Sequence, residues 1–120
     1  ARRIDASPER DAYLFHAACR YIEMQLDTPG MTAERVAHAI CCSRTQLYRV
    51  FAERELSVAA HVRDLRLSRS RILLRNAAMS VGDVAHYCGY GDLPAFSKAF
   101  KQRFGMSPGE WRRTSQVLRV

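Results

Sequence analysis

An internal repeat constrains the fold of this 120-residue chain more than any other feature of its sequence. Residues 36–38 are Val-Ala-His, and the same three residues recur at 84–86. Two short helices joined by a tight turn, with an outward basic residue on the second, are the outline of a helix-turn-helix unit. Chance similarity between amphipathic helices is the alternative explanation. The repeat continues after the turn, where Leu47, Arg49 and Phe51 correspond to Phe96, Lys98 and Phe100.

Helical periodicity extends over nearly the whole chain, and strand-like alternation is absent from the sequence. Ser80 with Asp83, and Ser107 with Glu110, have the spacing of capping boxes, which mark helix starts. We therefore predict an all-α fold with a first helix-turn-helix at about 32–54 and a linker helix at about 57–75. A second helix-turn-helix is predicted at about 80–104, and a C-terminal helix at about 107–114.

The positive charge of the chain is confined to its second half. Residues 61–120 carry eleven basic and four acidic side chains, whereas the two signs balance in residues 1–60, so the second half holds the whole net charge of +7. Nearly all of the basic residues are arginine, which forms bidentate hydrogen bonds with phosphate or guanine. A polyanionic partner, nucleic acid before membrane, explains this charge, and a solvated basic surface explains it equally well.

Neither the histidines nor the cysteines have the pattern of a metal or catalytic site. His38 and His86 hold equivalent positions on two bracing helices, where surface packing is expected. No nucleophile–base pair, paired carboxylates or phosphate loop is present, so we expect no enzyme and no cofactor. The sequence has no spanning segment and no export signal, and we expect no membrane partner. The lack of a metal or redox pattern among the cysteines favours a reducing, cytoplasmic setting. The cysteines lack zinc-ligand spacing and have apolar neighbours, as reduced core thiols do: Cys19, Cys41, Cys42 and Cys88.

A specific combination of motifs extends through the second half of the chain. Residues 84–90 and 96–101 are followed by Phe104-Gly105, Ser107-Pro108 and Trp111-Arg112, and the linker segment contains Arg63-x-x-Arg66-Leu67. With these motifs, residues 31–113 resemble the DNA-binding domain of the arabinose-regulator (AraC/XylS) family of bacterial transcription regulators.

The resemblance implies a seven-helix, homeodomain-like DNA-binding domain over residues 7–120, with two helix-turn-helix units and with residues 1–6 as a linker remnant. It implies sequence-specific binding of double-stranded DNA by a transcription regulator. It also implies a companion domain for effector binding or dimerisation before this part of the chain, and it permits contact with RNA polymerase.

The first recognition helix is expected to present four residues to DNA, because they point away from an apolar stripe. We expect Arg49 to bond guanine, whose two acceptors match a guanidinium, and Arg44 and Tyr48 to contact phosphate. A solvated pair of arginines is the alternative. The four residues are Arg44, Thr45, Tyr48 and Arg49.

The second recognition helix presents a poor set for distinguishing bases. Leu93 offers only an apolar contact to a thymine methyl, and Pro94 offers no hydrogen bond. We expect Ser97, Lys98 and Lys101 to bind phosphates, so that sequence selectivity comes mostly from the first unit.

The predicted linker helix would be about 27 Å long, close to the ~34 Å between two successive major-groove faces of a duplex. One monomer could therefore contact two adjacent grooves. A basic helical protein-interaction module without DNA specificity is the alternative function. A DNA-repair protein with such a domain would need reactive cysteines, which this spacing does not indicate.

The sequence also supports predictions for three other groups of residues. Glu55 stands where similar sequences often have glycine, and a left-handed backbone there would strain it. Arg63 and Arg66 on the linker helix would pair with acids or with phosphate. Arg112 and Arg113 follow the core residue Trp111 and are further candidates for DNA contact.

Overall fold

The computed structural model describes the backbone of residues 7–117 and the side chains through Ser115. Within these residues the chain forms seven α-helices and no strand, which confirms the predicted all-α class. The predicted linker remnant, residues 1–6, lies outside the described residues. The helices are α1 (Pro8–Met24), α2 (Ala33–Ala39), α3 (Arg44–Ala52), α4 (Val58–Leu73), α5 (Val81–Tyr87), α6 (Leu93–Phe104) and α7 (Pro108–Val117).

Side-chain caps fix where most of these helices begin. The first amides of a helix have no partner within it, so a polar residue just before the helix stabilises its start. At α5 the Ser80 hydroxyl accepts from the Asp83 amide at 3.0 Å, and the Asp83 carboxylate accepts from the Ser80 amide at 3.2 Å. Ser107 and Glu110 form the same reciprocal pair at α7. Both predicted capping boxes are therefore confirmed.

The chain divides into two compact units. The first contains residues 7–26 and 30–63, and the second contains residues 27–29 and 64–117. Each unit has its own helix-turn-helix, α2–α3 in the first and α5–α6 in the second. Each copy of the repeat thus builds its own core.

The first unit packs α3 against α1. Leu47, Val50 and Phe51 of α3 are fully buried. The Phe51 ring lies 5.0 Å from that of Phe15 on α1, measured between centroids, and 5.8 Å from that of His61 on α4. This packing fixes the buried face of α3 and leaves its opposite face to solvent.

The second unit has an aromatic core. Phe96 and Phe100 of α6 are fully buried beside Val84 of α5 and Cys88, the C-cap residue of α5. Phe100 contacts Trp111 of α7, with 6.4 Å between ring centroids, so Trp111 packs against this core as predicted.

Two non-glycine residues have left-handed backbones, at equivalent helix ends. Cys41 lies two residues after α2 and has a φ of 60°, and Glu55 lies three residues after α3 and has a φ of 56°. The expected strain at Glu55 is therefore present, because a Cβ crowds the backbone in this conformation.

Glu55→Gly is expected to raise the free energy of unfolding by about 1 kcal/mol, because glycine adopts this conformation without strain. The Glu55 side chain is exposed, so no packing is lost. Urea denaturation of the purified chain measures the change. Glu55→Ala is the matched control, since it removes the charge and keeps the Cβ; equal stability of the two variants would contradict the strain argument.

The cysteines differ in their surroundings, which corrects part of the prediction. Cys88 is buried, and burial raises the pKa of its thiol to about 11, so it stays protonated at neutral pH. Cys19 and Cys42 are half-buried. Cys41 was expected in apolar surroundings but is exposed, because the left-handed turn that ends α2 lies at the surface.

Candidate nucleic-acid interface

The two helix-turn-helix units share one turn geometry. In the first, the Cys42 amide donates to the Ala37 carbonyl at 3.0 Å, across the left-handed Cys41. In the second, the Tyr90 amide donates to the Ala85 carbonyl at 3.0 Å, across Gly89 with φ of 85°. These hydrogen bonds lie 48 positions apart, which is the offset between the two Val-Ala-His segments. The repeat therefore reflects a duplicated structure and not a chance similarity.

The start of α3 is fixed by a capping box. The Gln46 amide donates to the Ser43 hydroxyl at 3.0 Å, and the Ser43 amide donates to the Gln46 side chain at 3.1 Å. The residues that follow Ser43 therefore begin a well-defined helical turn, and the first of them is the predicted DNA-contact residue Arg44.

Three of the four residues predicted to face DNA on α3 are together on its exposed side. Arg44 and Thr45 are exposed in the first turn, and Tyr48 one turn later keeps 53% of its surface accessible. They lie opposite the buried stripe, as the helical spacing predicted. The exposed side of α3 therefore offers a guanidinium, a hydroxyl and a phenol to a partner.

Arg49, the fourth residue, already has partners. Its two terminal nitrogens donate to the Asp11 carboxylate of α1, at 2.9 Å to Oδ2 and 3.1 Å to Oδ1. One of them also donates to Glu53 Oε2 at 3.2 Å. The Asp11 side chain is 12% exposed and that of Arg49 35%. Hydrogen bonds from Arg49 hold the pKa of the Asp11 carboxyl below its usual range, and they raise the pKa of the guanidinium.

The second recognition helix, α6, has a clear outer side. Its N-cap is Asp92, whose carboxylate accepts from the Ala95 amide at 2.7 Å. Ser97 is half-buried, and the other four predicted contact residues are exposed, with Leu93 at 44%. Within the described part of the chain, neither lysine forms a salt bridge. The outer side of α6 consists of Leu93, Pro94, Ser97, Lys98 and Lys101.

Arg112 takes a structural position that differs from the expected DNA contact. Its Nε donates to the Leu74 carbonyl at 2.8 Å, and its Nη2 donates to the carbonyls of Asn76 and Met79 at 3.3 and 2.6 Å. One guanidinium thus organises the connection between α4 and α5. Arg113 is exposed, in agreement with its status as a candidate.

The two arginines predicted on the linker helix, which is α4, also differ in their surroundings. Arg63 is exposed. Arg66 is half-buried, and its Nη2 donates to the Thr28 carbonyl at 2.9 Å. His38 and His86 are exposed, as expected.

Sequence reasoning missed Asp11 and the role of Arg112. Both contacts join residues 38 positions apart, and no local pattern marks either pair. The sequence marks Asp11 only as an acidic residue in the first turn of α1. An acid there is common because it interacts favourably with the helix dipole, so it does not indicate an ion pair with Arg49.

Two other types of site are absent from residues 7–117. No three or more histidine, cysteine or acidic residues come together in a way that could hold a metal ion. No helix in this range combines the length and the apolar character needed to cross a membrane.

Known proteins with similar sequences support the interpretation of this geometry as a pair of helix-turn-helix units. A family model described as a helix-turn-helix domain matches residues 36–114. The arabinose operon regulatory protein of Escherichia coli strain K12 is 32% identical over 96 residues, which cover 79% of this chain and 33% of that protein. The chain belongs to the AraC/XylS family. Eight curated relatives show how small a part of an AraC/XylS protein is present, since the chain spans 22% to 37% of their length.

Solved structures agree with the AraC/XylS assignment. A transcriptional regulator of Chromobacterium violaceum with an AraC-type DNA-binding domain matches with a TM-score of 0.79 and 26% identity, over 85% of this chain and 91% of that chain. The DNA-binding domain of AdpA, crystallised in complex with a target DNA, matches with a TM-score of 0.73 and 21% identity, over 91% and 95% of the two chains. At this identity the second likeness shows the AraC/XylS fold alone.

Proposed function

We propose that this chain is the sequence-specific DNA-binding part of a bacterial transcription regulator. The single observation that carries the proposal is the exposed side of α3, where Arg44, Thr45 and Tyr48 stand together on a capped helix of a helix-turn-helix unit. An α-helix fits the major groove, and its outward side chains meet base edges and phosphates there.

Contacts are expected to differ between the two units. Arg44 and Tyr48 suit phosphate oxygens, and Thr45 can contact a base edge. Arg49 stays a predicted base-contact residue, although its guanidinium must leave Asp11 to reach a guanine. In the second unit Ser97, Lys98 and Lys101 would bind phosphates, and Leu93 and Pro94 would add only apolar contacts.

We further propose that α3 and α6 occupy successive major grooves. The length of α4 supports this, because it is an uninterrupted helix of 16 residues, about 24 Å, and residues of both units belong to it. A monomer would then bind two half-sites on one side of the duplex.

No enzymatic function is proposed. The relatives include operon regulatory proteins and an HTH-type transcriptional regulator, and two pockets in the described part of the chain have no serine or cysteine among their lining residues. One pocket is lined by Leu73, Met79, Asp83, His86 and Tyr87. The other is lined by Tyr21, Glu34, Arg35, His38 and Ala39.

The parts of the protein beyond this chain also remain proposals. Because the chain spans about a third of its relatives, we infer a companion domain that binds an effector or dimerises. From the same family membership we also propose a contact with RNA polymerase and a cytoplasmic location.

Titration of the chain with a fluorescent duplex of mixed sequence at rising salt tests the proposal. Three predicted phosphate contacts by cationic groups, Arg44, Lys98 and Lys101, would give a slope of log K against log salt of about −2.7 or steeper. Anisotropy measures this slope between about 50 and 200 mM salt.

Protection of guanine N7 from methylation then separates DNA recognition from the alternative of a basic protein-interaction module. A helix in the major groove covers N7, whereas a module that binds any polyanion leaves it reactive. Salt-dependent binding without N7 protection, on duplexes selected for tight binding, would favour the alternative.

A further inference from the structure

The ion pair between Arg49 and Asp11 has a consequence for base recognition. Guanine offers two adjacent acceptors, O6 and N7, and an arginine binds them with two parallel N–H groups. A carboxylate is bound by an arginine with the same fork. In the structure the two terminal nitrogens of Arg49 already donate to the two oxygens of Asp11. The terminal fork of Arg49 therefore cannot bind Asp11 and a guanine at the same time.

Burial makes this competition strong. The Asp11 side chain is 12% exposed, so water replaces the arginine poorly when the pair opens. By contrast, Glu53 is about half exposed, and its contact with Arg49 is a surface pair one helical turn away. The carboxylate that matters for the arginine is thus the one on α1.

Exchange of partners is nevertheless feasible. Arg10 and Arg54 also act electrostatically on Asp11 and would still stabilise its charge after Arg49 turns to DNA. The Arg49 side chain keeps 35% of its surface accessible, so it has a path toward solvent.

We propose that Asp11, on the helix before both helix-turn-helix units, determines specificity by competing with DNA for Arg49. The inference rests on the proposed DNA-binding function and deepens it. Asp11 weakens the preference for guanine at the base pair opposite Arg49, and a neutral residue at position 11 strengthens that preference. Asp11 is a positioning residue, since it acts through Arg49.

Selection from a duplex library with about 20 randomised base pairs, two helical turns, tests this proposal. Wild type, Asp11→Asn and the double variant Asp11→Asn/Arg49→Ala are compared after sequencing of the bound fraction. Asp11→Asn is expected to raise the ratio of guanine to other bases at one position by roughly five- to a hundredfold, the range of a bidentate contact. The double variant is expected to lose this preference.

A charge-matched control separates the effect from general electrostatics. Glu23→Gln also removes one negative charge from α1, at an exposed position, and is expected to leave the base preference unchanged. Because Asp11→Asn could lower stability, circular dichroism first establishes that each variant is folded. Asp11→Ala provides a second neutral variant, whose side chain, unlike that of asparagine, cannot accept a hydrogen bond from Arg49.

The outcomes are distinct. A guanine preference gained in both neutral variants and lost with Arg49 supports the proposal. Folded variants that bind DNA with the base preference of wild type overturn it and leave the proposed function intact. Failure of every variant, wild type included, to bind any duplex at low salt overturns both.

Discussion

Arg112→Ala is expected to lower the free energy of unfolding by about 3 kcal/mol, the largest effect on stability that we predict outside the core. Hydrogen bonds from charged donors contribute about 1.5–3 kcal/mol each, but those of one side chain are not additive. Arg112 makes three, to the carbonyls of Leu74, Asn76 and Met79. Without the guanidinium, these three carbonyl oxygens have only water as a hydrogen-bond donor in its place. The connection between α4 and α5 then loses the contacts that hold it to α7.

Tryptophan fluorescence during urea denaturation measures this change. Trp111 is the single tryptophan of the chain and packs against the core of the second unit, so its emission follows that unit. Arg113→Ala is the matched control, since it removes the same charge from an exposed neighbour and should change stability by less than about 0.5 kcal/mol. Similar losses in both variants would show that charge, and not the carbonyl contacts, explains the effect.

Simultaneous replacement of Lys98 and Lys101 by alanine is expected to weaken DNA binding between tenfold and a hundredfold at about 0.1 M salt. Two lost phosphate contacts should also make the slope of log K against log salt shallower by about 1.8. The base preference should not change, because phosphate contacts position a protein without distinguishing sequence.

Anisotropy titrations over a range of salt concentrations, with library selection, test both parts of this prediction. Arg20→Ala is a useful control, because Arg20 is an exposed cation on the side of α1 opposite its buried residues. We expect it to have a much smaller effect than either single lysine variant. A changed base preference in the double lysine variant would show that α6 distinguishes bases, against the proposed division between the units.

The parts of the fold that depend on local signals could be predicted from the sequence. Helix starts follow from a polar cap and its partner three residues later, and the box at Ser80 was predicted with Asp83 in place of the usual glutamate or glutamine. The strain at Glu55 was also foreseen, because it depends on one residue and one turn. The exposed sides of α3 and α6 follow from helical spacing alone.

The parts that depend on tertiary packing could not be predicted. Helical spacing placed Arg49 away from the apolar stripe, but it carries no information about which other helix lies there. Only the packing of α1 against α3 brings Asp11 to within 2.9 Å of the guanidinium. The same limit applies to Arg112, whose carbonyl partners belong to a distant connection without regular structure.

The short length of α3 has a consequence for genetics. A helix of nine residues is marginal in isolation. The helix α3 therefore depends on its N-terminal cap and on the burial of its own residues Leu47, Val50 and Phe51. Substitutions at these buried residues should therefore abolish the proposed DNA binding as completely as substitutions on the exposed side. A screen for loss of DNA binding will recover both groups together, and only the amount of intact protein in the cell will distinguish them.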